Sequence, residues 1–329
     1  MKIGLIQIDG KMPNLALMKL ASWHRNKGDD VRIIDLSSLR IEKWYGSKIF
    51  MGGSGYDIKQ KLPKEIEAQV PDYDLFNTNY SIGFTSRGCV KDCGFCIVKE
   101  KEGNLFECDF SKDIKHSKYI IIDNNFLASS LWKDKLRFFI DNNIKVCFTQ
   151  GLDFDFIDDE KALTLSKVKY YDRSFTQRRI YFAFDNPSKE KIVREKLEIL
   201  LQYINPRHIM VYVLVGYNTE FSQDMFRFKV LREYNVDPFI MIYNNRKDKP
   251  ILRHFARWVN KRIYKAEQDF TKYDKLNNHD GGINFTQNPC EDSALTSPLI
   301  IAKPQSNPEK DLTLDEPPSE SLRVPIGRV

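Results

Sequence analysis

The sequence predicts an α/β chain in two parts: a small parallel-sheet domain over residues 1–76 and a run of β/α units over 77–246 able to curl into a partial barrel. A helix over 247–273 and a disordered tail over 274–329 are expected to follow. Three observations carry this. Short apolar runs alternate with stretches of helical periodicity along most of the chain. The first three such segments read as strand, helix, strand, which is a βαβ unit and calls for parallel pairing. Nearly every later apolar run ends on Asp, Asn or Gln, and in α/β barrels the carboxyl-terminal strand ends form the working rim.

Taken in order, residues 2–8 are a buried strand and Asp9, Gly10 and Pro13 make a turn, with Asn14 placed to cap a helix. Leu15, Leu17, Met18, Leu20, Ala21 and Trp23 follow at helical spacing, Asn26-Lys27-Gly28 closes the helix, and residues 31–35 are the second strand. The domain is therefore expected to be Rossmann-like. His24 reads as a surface histidine. Gly52, Gly53 and Gly55 read as a tight turn rather than a phosphate cradle, because they do not lie between a first strand and its helix. Residues 61–80, with Pro63 and Pro71, read as the connector.

Beyond it, strands are expected at 80–85, 119–123, 145–149, 179–184, 208–215 and 238–243, and helices at 131–142, 158–168, 189–203 and 220–234. The strands end at Asp123 and Asn124, Gln150 and Asp153, Asp185, Asn218, and Asn244. One polar strand end means little, since turns favour Asp and Asn, but one after every strand implies a lined cavity. Asn125, Asn186 and Asn245 read as turn or cap residues. A basic amphipathic helix, with Arg253, Arg257, Lys261 and Arg262 on one side and Trp258 on the other, is expected to dock on the barrel through Trp258.

Composition sets the class. Of 329 residues, 42% are hydrophobic and 29% charged, as in ordinary globular proteins. No stretch approaches the roughly 20 apolar residues that cross a bilayer, and the N-terminus reads as a strand rather than a signal peptide, so no membrane partner and a cytoplasmic location are expected. Six scattered and clustered cysteines do not suggest a disulfide framework. A net charge of +6 permits a nucleic-acid partner without indicating one, because the basic residues form no stripe.

The chemistry is concentrated in residues 81–99, where Cys89, Cys93 and Cys96 form a CxxxCxxC cluster straight after a strand and the turn Ser86-Arg87-Gly88. Three thiolates on one loop suit three irons of a cubane and leave the fourth iron without a protein ligand. The alternative is a non-catalytic zinc or iron-sulfur module, with Cys108 completing a tetrahedron of four thiolates.

Strand, Thr85-Ser86-Arg87-Gly88-Cys89, then CxxxCxFC with Phe95 before the last cysteine resembles the cluster loop of the radical S-adenosylmethionine (radical SAM) superfamily. The resemblance implies a partial (β/α)6, TIM-like barrel and a [4Fe-4S] cluster held by Cys89, Cys93 and Cys96. It implies S-adenosylmethionine (SAM) bound at the open iron, and a reductant such as flavodoxin or ferredoxin. It implies Phe95 against the adenine, Asp123-Asn124-Asn125 where relatives carry a G-G-E-like turn for the SAM amino group, Asp185 near the ribose, and Tyr243 on the strand that meets the adenine. Gln150, Asp153 and Asn218 join these as SAM- or substrate-facing strand ends. A Rossmann-like domain before such a core also resembles the cobalamin-binding class, but the D-x-H-x-x-G motif is missing, so cobalamin stands as an alternative only. Cysteines typical of methylthiotransferases and of auxiliary clusters are absent as well, since the first cysteine is Cys89 and the only late one is Cys290. The implied activity is reductive cleavage of SAM at one cluster to a 5′-deoxyadenosyl radical that modifies an unidentified substrate.

Overall fold

A computed structural model describes residues 1–34, 41–47, 62–245 and 249–273. The glycine turn at 52–55, Cys290 and the tail from 274 on lie outside the described residues. The chain divides into two compact units, the first covering Met1–Ser81 and the second starting at Ile82.

In the first unit β1 (Lys2–Gln7), α1 (Leu15–Arg25), β2 (Asp30–Ile33) and β3 (Lys43–Ser47) build a three-stranded sheet of order β2-β1-β3, parallel throughout. Asn14 caps α1 as expected: its side-chain oxygen accepts from the Leu17 amide at 3.2 Å, and its Nδ2 donates to Ser47 Oγ at 2.9 Å, tying the helix start to β3. Leu17, Leu20 and Ala21 pack on Ile3, Leu5, Val31 and Tyr45. A short helix, α2 (Lys64–Glu67), adds Ile66 to this core.

Two features differ from expectation. Strand β3 was not foreseen, because its Lys-Trp-Tyr-Gly-Ser sequence buries only Tyr45 among its large side chains and leaves Trp44 exposed. His24 is not a surface residue: it is 2% exposed, with Nδ1 2.6 Å from Asp29 Oδ2 and Nε2 3.1 Å from Tyr45 Oη. The reason is periodicity, since His24 lies three, four and seven residues after Ala21, Leu20 and Leu17 and so falls on the apolar stripe.

The second unit begins with β4 (Ser81–Gly83), β5 (Ser86–Arg87), α3 (Val98–Glu102), β6 (Phe106–Glu107), β7 (Lys118–Ile121), α4 (Trp132–Asp141), β8 (Lys145–Phe148) and β9 (Leu152–Asp153). It continues with α5 (Asp159–Lys167), β10 (Ile180–Ala183), α6 (Glu190–Leu201), β11 (Ile209–Val215), α7 (Phe221–Glu233), β12 (Asp237–Ile242) and α8 (Pro250–Asn260). The strands form a sheet of order β4-β7-β8 and another of order β12-β11-β10-β9, while β5 and β6 make an antiparallel hairpin. The pairs β7–β8, β9–β10, β10–β11 and β11–β12 are all parallel.

Alternation of strand and helix is therefore as expected, and the unit is α/β with parallel sheets. Among the described residues no ladder joins β8 to β10, so the strands form two sheets rather than one continuous barrel wall. A single apolar core nevertheless spans both, from Tyr119, Ile121, Val146 and Phe148 to Phe182, Val211, Val213 and Ile240. Helix α8 starts on Pro250 and buries Leu252, Phe255, Trp258 and Val259. Its Asn260 side chain donates to Ile240 O at 3.0 Å and accepts from Ile240 N at 2.8 Å, which satisfies the outer edge of β12. No helix among the described residues is long and apolar enough to cross a membrane.

Candidate metal centre

The cysteine loop leaves β4 and is fixed at its root by a carboxylate from the next strand of the same sheet. Asp123, 3% exposed just past the end of β7, accepts from the Thr85 amide at 2.6 Å, the Ser86 amide at 2.8 Å, Ser86 Oγ at 2.7 Å and Thr85 Oγ1. Burial pushes its pKa up to about 6 against the pull of these donors. Its side chain is thus engaged with the root of the cysteine loop.

A second carboxylate holds the loop where the cysteines begin. Glu102 Oε2, at the end of α3, accepts from the Gly88 amide at 3.0 Å and from Asn124 Nδ2 at 2.7 Å, while Oε1 accepts from Arg87 at 3.2 Å. Burial raises the Glu102 pKa, but Arg87 and the Gly88 amide outweigh it and hold the carboxyl below the usual range. Gly88 itself has φ +74°, and a Cβ there would lie 2.2 Å from Asn104 O, so no other residue fits. The side chain of Asn124 is part of this clasp.

Cys89, Cys93 and Cys96 are all half-buried and none is in a disulfide. Two accept backbone amides at sulfur: Lys91 N lies 3.4 Å from Cys89 Sγ and Val98 N lies 3.5 Å from Cys96 Sγ. Asn125 Nδ2 approaches Cys89 Sγ at 3.8 Å. Burial, then the neighbouring Cys96 thiol, push the Cys93 pKa up to about 11, and burial raises Cys96 as well. Such thiols stay protonated at neutral pH until a metal takes the place of the proton. Among the described residues no three His, Cys, Asp or Glu side chains are gathered closely enough to hold one metal ion. What fits a thiophilic centre is the donor set: three partly buried thiols on one pinned loop, two of them met by amide N–H groups. Cys108, the fourth thiol of the zinc alternative, sits on the hairpin at the loop's root, its amide bonded to Thr85 O at 3.0 Å.

The remaining expected residues divide. Phe95 and Tyr243 are joined through a residue not foreseen: Tyr217 lies edge-on to Phe95 at 5.5 Å and to Tyr243 at 4.8 Å between ring centroids, a row of three aromatics beside the cysteines. Gly94 makes room for it, since a Cβ there would come within 2.5 Å of Tyr217 Oη. Asp153 pairs with Lys91 of the cysteine loop and accepts from Asn125 Nδ2 at 3.2 Å. Neighbouring Asp155 takes Lys91 at 2.6 Å and Lys189 at 2.9 Å.

Asp185 accepts from the Leu214 amide at 3.0 Å, and burial pushes its pKa up to about 6 despite that bond and the Arg227 charge. Gln150 borders a cavity of about 10 Å³ shared with Asp123, Phe126 and Phe148, room for at most a single water. Asn218 is exposed with φ +47°, a turn residue. Of the three asparagines read as turn or cap residues, Asn186 is one, accepting from the Ser188 amide at 3.0 Å. Asn125 also stands at a cap position, ahead of the one-turn helix Phe126–Ala128, its carbonyl accepting from the Ala128 amide at 3.3 Å, but its side chain reaches Cys89 and Asp153 instead of capping that helix. The side chain of Asn245 lies outside the described residues.

The first unit carries an open cleft of about 700 Å³ beside the carboxyl end of β1, bordered by Gln7, Lys11, Pro13 and residues 76–80. No histidine borders it, and both ring nitrogens of His24 are already engaged with Asp29 and Tyr45. Histidine ligation of a cobalamin thus has no candidate among the described residues of this unit. No protein-family model matches the chain, and no curated protein matches it significantly.

Proposed function

We propose that this chain is a radical SAM enzyme of the cytoplasm with one [4Fe-4S] cluster. The observation that supports it most is the cysteine loop itself: CxxxCxxC in three half-buried thiols, clasped at its root by Asp123 and Glu102 and flanked by Phe95. A cluster held by these cysteines would supply single electrons, drawn from a flavodoxin or ferredoxin, for reductive cleavage of SAM to methionine and a hydrogen-abstracting 5′-deoxyadenosyl radical.

The residues of the chain supply the rest. Cys89, Cys93 and Cys96 would hold three irons, with the amides of Lys91 and Val98 donating to two of the sulfurs. Phe95, Tyr217 and Tyr243 offer aromatic faces and edges suited to a purine. Lys91, Asp153, Asp155 and Lys189 cross-link the loop to the end of β9 and the start of α6, which holds the thiols in register. The partial barrel belongs to this proposal too, with the two parallel sheets as its walls.

The test is electron paramagnetic resonance of the anaerobically reconstituted, dithionite-reduced protein, with and without SAM, alongside an assay for 5′-deoxyadenosine. A reduced-cubane signal that shifts with SAM, and 5′-deoxyadenosine that disappears in Cys93→Ala, are expected. Stoichiometric zinc with no cluster, lost in Cys108→Ser, would replace the enzyme by a zinc-stapled binding module.

A further inference from the structure

Asn125 is 5% exposed, and none of its side-chain contacts serves the local backbone. It stands in an extended conformation (φ −154°, ψ 80°) ahead of the one-turn helix Phe126–Ala128, to which its side chain gives no cap. Its Nδ2 instead lies between two acceptors, Asp153 Oδ2 at 3.2 Å and Cys89 Sγ at 3.8 Å. Both are anionic or anion-forming, so the orientation with nitrogen toward them is the one the chemistry requires. Asp153 is in turn paired with Lys91, two residues after Cys89, so the carboxamide's second acceptor is tied to the cysteine loop. The Asn125 Oδ1 is buried and has no partner among the described residues, so the hydrogen bonds of this carboxamide run through its N–H groups.

We propose that Asn125 is a positioning residue that directs a side-chain N–H at the Cys89 sulfur and thereby raises the reduction potential of the cluster held there. The proposal rests on the radical SAM reading and adds to it a residue and a role. The physical reason is charge: reduction adds an electron whose density is shared with the thiolate sulfurs, and an N–H pointing at sulfur stabilises the more negative state. Cys89 then differs from the other two ligands in receiving a side-chain donor besides a backbone amide.

The test is a potentiometric titration of the reconstituted cluster, read by electron paramagnetic resonance, in the wild type, Asn125→Leu, Asn125→Gln and Asn186→Ala. Leucine keeps the bulk and removes the donor. Glutamine keeps a carboxamide, and Asn186→Ala removes an asparagine that also follows a strand but caps a turn and touches no sulfur. Asn125→Leu is expected to lower the reduced-to-oxidised ratio at a given potential about tenfold, equivalent to about 59 mV for one electron. Asn125→Gln should recover part of the shift, and Asn186→Ala should titrate with the wild type.

An unchanged potential in Asn125→Leu, or an equal fall in Asn186→Ala, would overturn the proposal while leaving the cluster in place. Should Asn125→Leu take up no iron, recovery of a cluster in Asn125→Gln supports the amide's role and its continued absence overturns it. Absence of a cluster from the wild type overturns both this proposal and the reading beneath it.

Discussion

Asp123 shows how one side chain can organise a site without entering it. Its two oxygens take four donors from Thr85 and Ser86, two of the five residues that carry the chain from β4 to Cys89. Asp123→Asn would replace one acceptor oxygen by an NH2 group facing N–H and O–H donors. The expected cost is about 2 kcal/mol, the worth of hydrogen bonds to a charged group, read as a lower denaturation midpoint of the second unit. An unchanged midpoint would mean that the clasp contributes nothing. Gly88→Ala is expected to be at least as damaging, because it combines a positive φ with a Cβ driven into the Asn104 carbonyl, and iron uptake after reconstitution would report it. The sequence placed Cys89, Cys93, Cys96 and Phe95 on one loop by spacing alone. It could not distinguish a rim carboxylate that faces a cavity from one that faces its neighbour's backbone, since both follow a strand. Nor does sequence show what the Asn125 side chain reaches from its cap position: an asparagine after a strand is a common turn residue, and only the fold brings Cys89, 36 positions earlier, beside it.

Elements were legible where local chemistry marks their ends. Helix α5 starts where Asp158 accepts from the Lys161 amide at 2.8 Å, and α7 where the Gln223 side chain accepts from the Glu220 amide at 3.0 Å. What local chemistry does not show is the use α7 makes of its buried charges. Asp224 and Arg227 are both fully buried and paired at 2.6 Å, and Arg227 also donates at 2.8 Å to Phe184 O and at 2.8 Å to Leu214 O, near the ends of β10 and β11. On sequence alone these are two charged residues one helical turn apart, the usual mark of a solvated face. Arg227→Met would strip two strand-end carbonyls of their donor and leave the Asp224 carboxylate unpaired, so a loss of about 3–5 kcal/mol is expected in urea unfolding. The double variant Asp224→Leu/Arg227→Met should lose less than the single one, because it leaves no uncompensated charge. Equal losses would place the energy in the carbonyl contacts rather than in the pair.

For the whole molecule, the order of strands and helices follows from alternation of apolar runs, but which strands pair does not. The sequence counts six β/α units and expects one wall; the structure has two sheets on a shared core, with the two-residue strand β9 on the edge of the second. Pairing depends on contacts far apart in the chain, and a two-residue strand has no periodicity to read. The division matters for Asp185, which follows β10 in the second sheet and accepts a bond from the end of β11. Burial raises its pKa from 3.8 to about 6, outweighing the Leu214 amide and Arg227. In the native protein the carboxyl therefore holds its proton at pH values where the unfolded chain has released it. Its contribution to stability is fully present below about pH 4 and is lost as pH rises through about 6. Asp185→Asn keeps an oxygen for the Leu214 amide and removes the cost of ionisation. Relative to the wild type, the variant should gain stability steadily between pH 4 and 6 and level off above pH 7, by up to about 3 kcal/mol for a shift of about two units. Parallel urea titrations of both proteins across that range measure the difference directly. A difference that stays flat with pH would mean that Asp185 ionises as it does in water, and that the end of β10 is open to solvent instead of closed beneath a site.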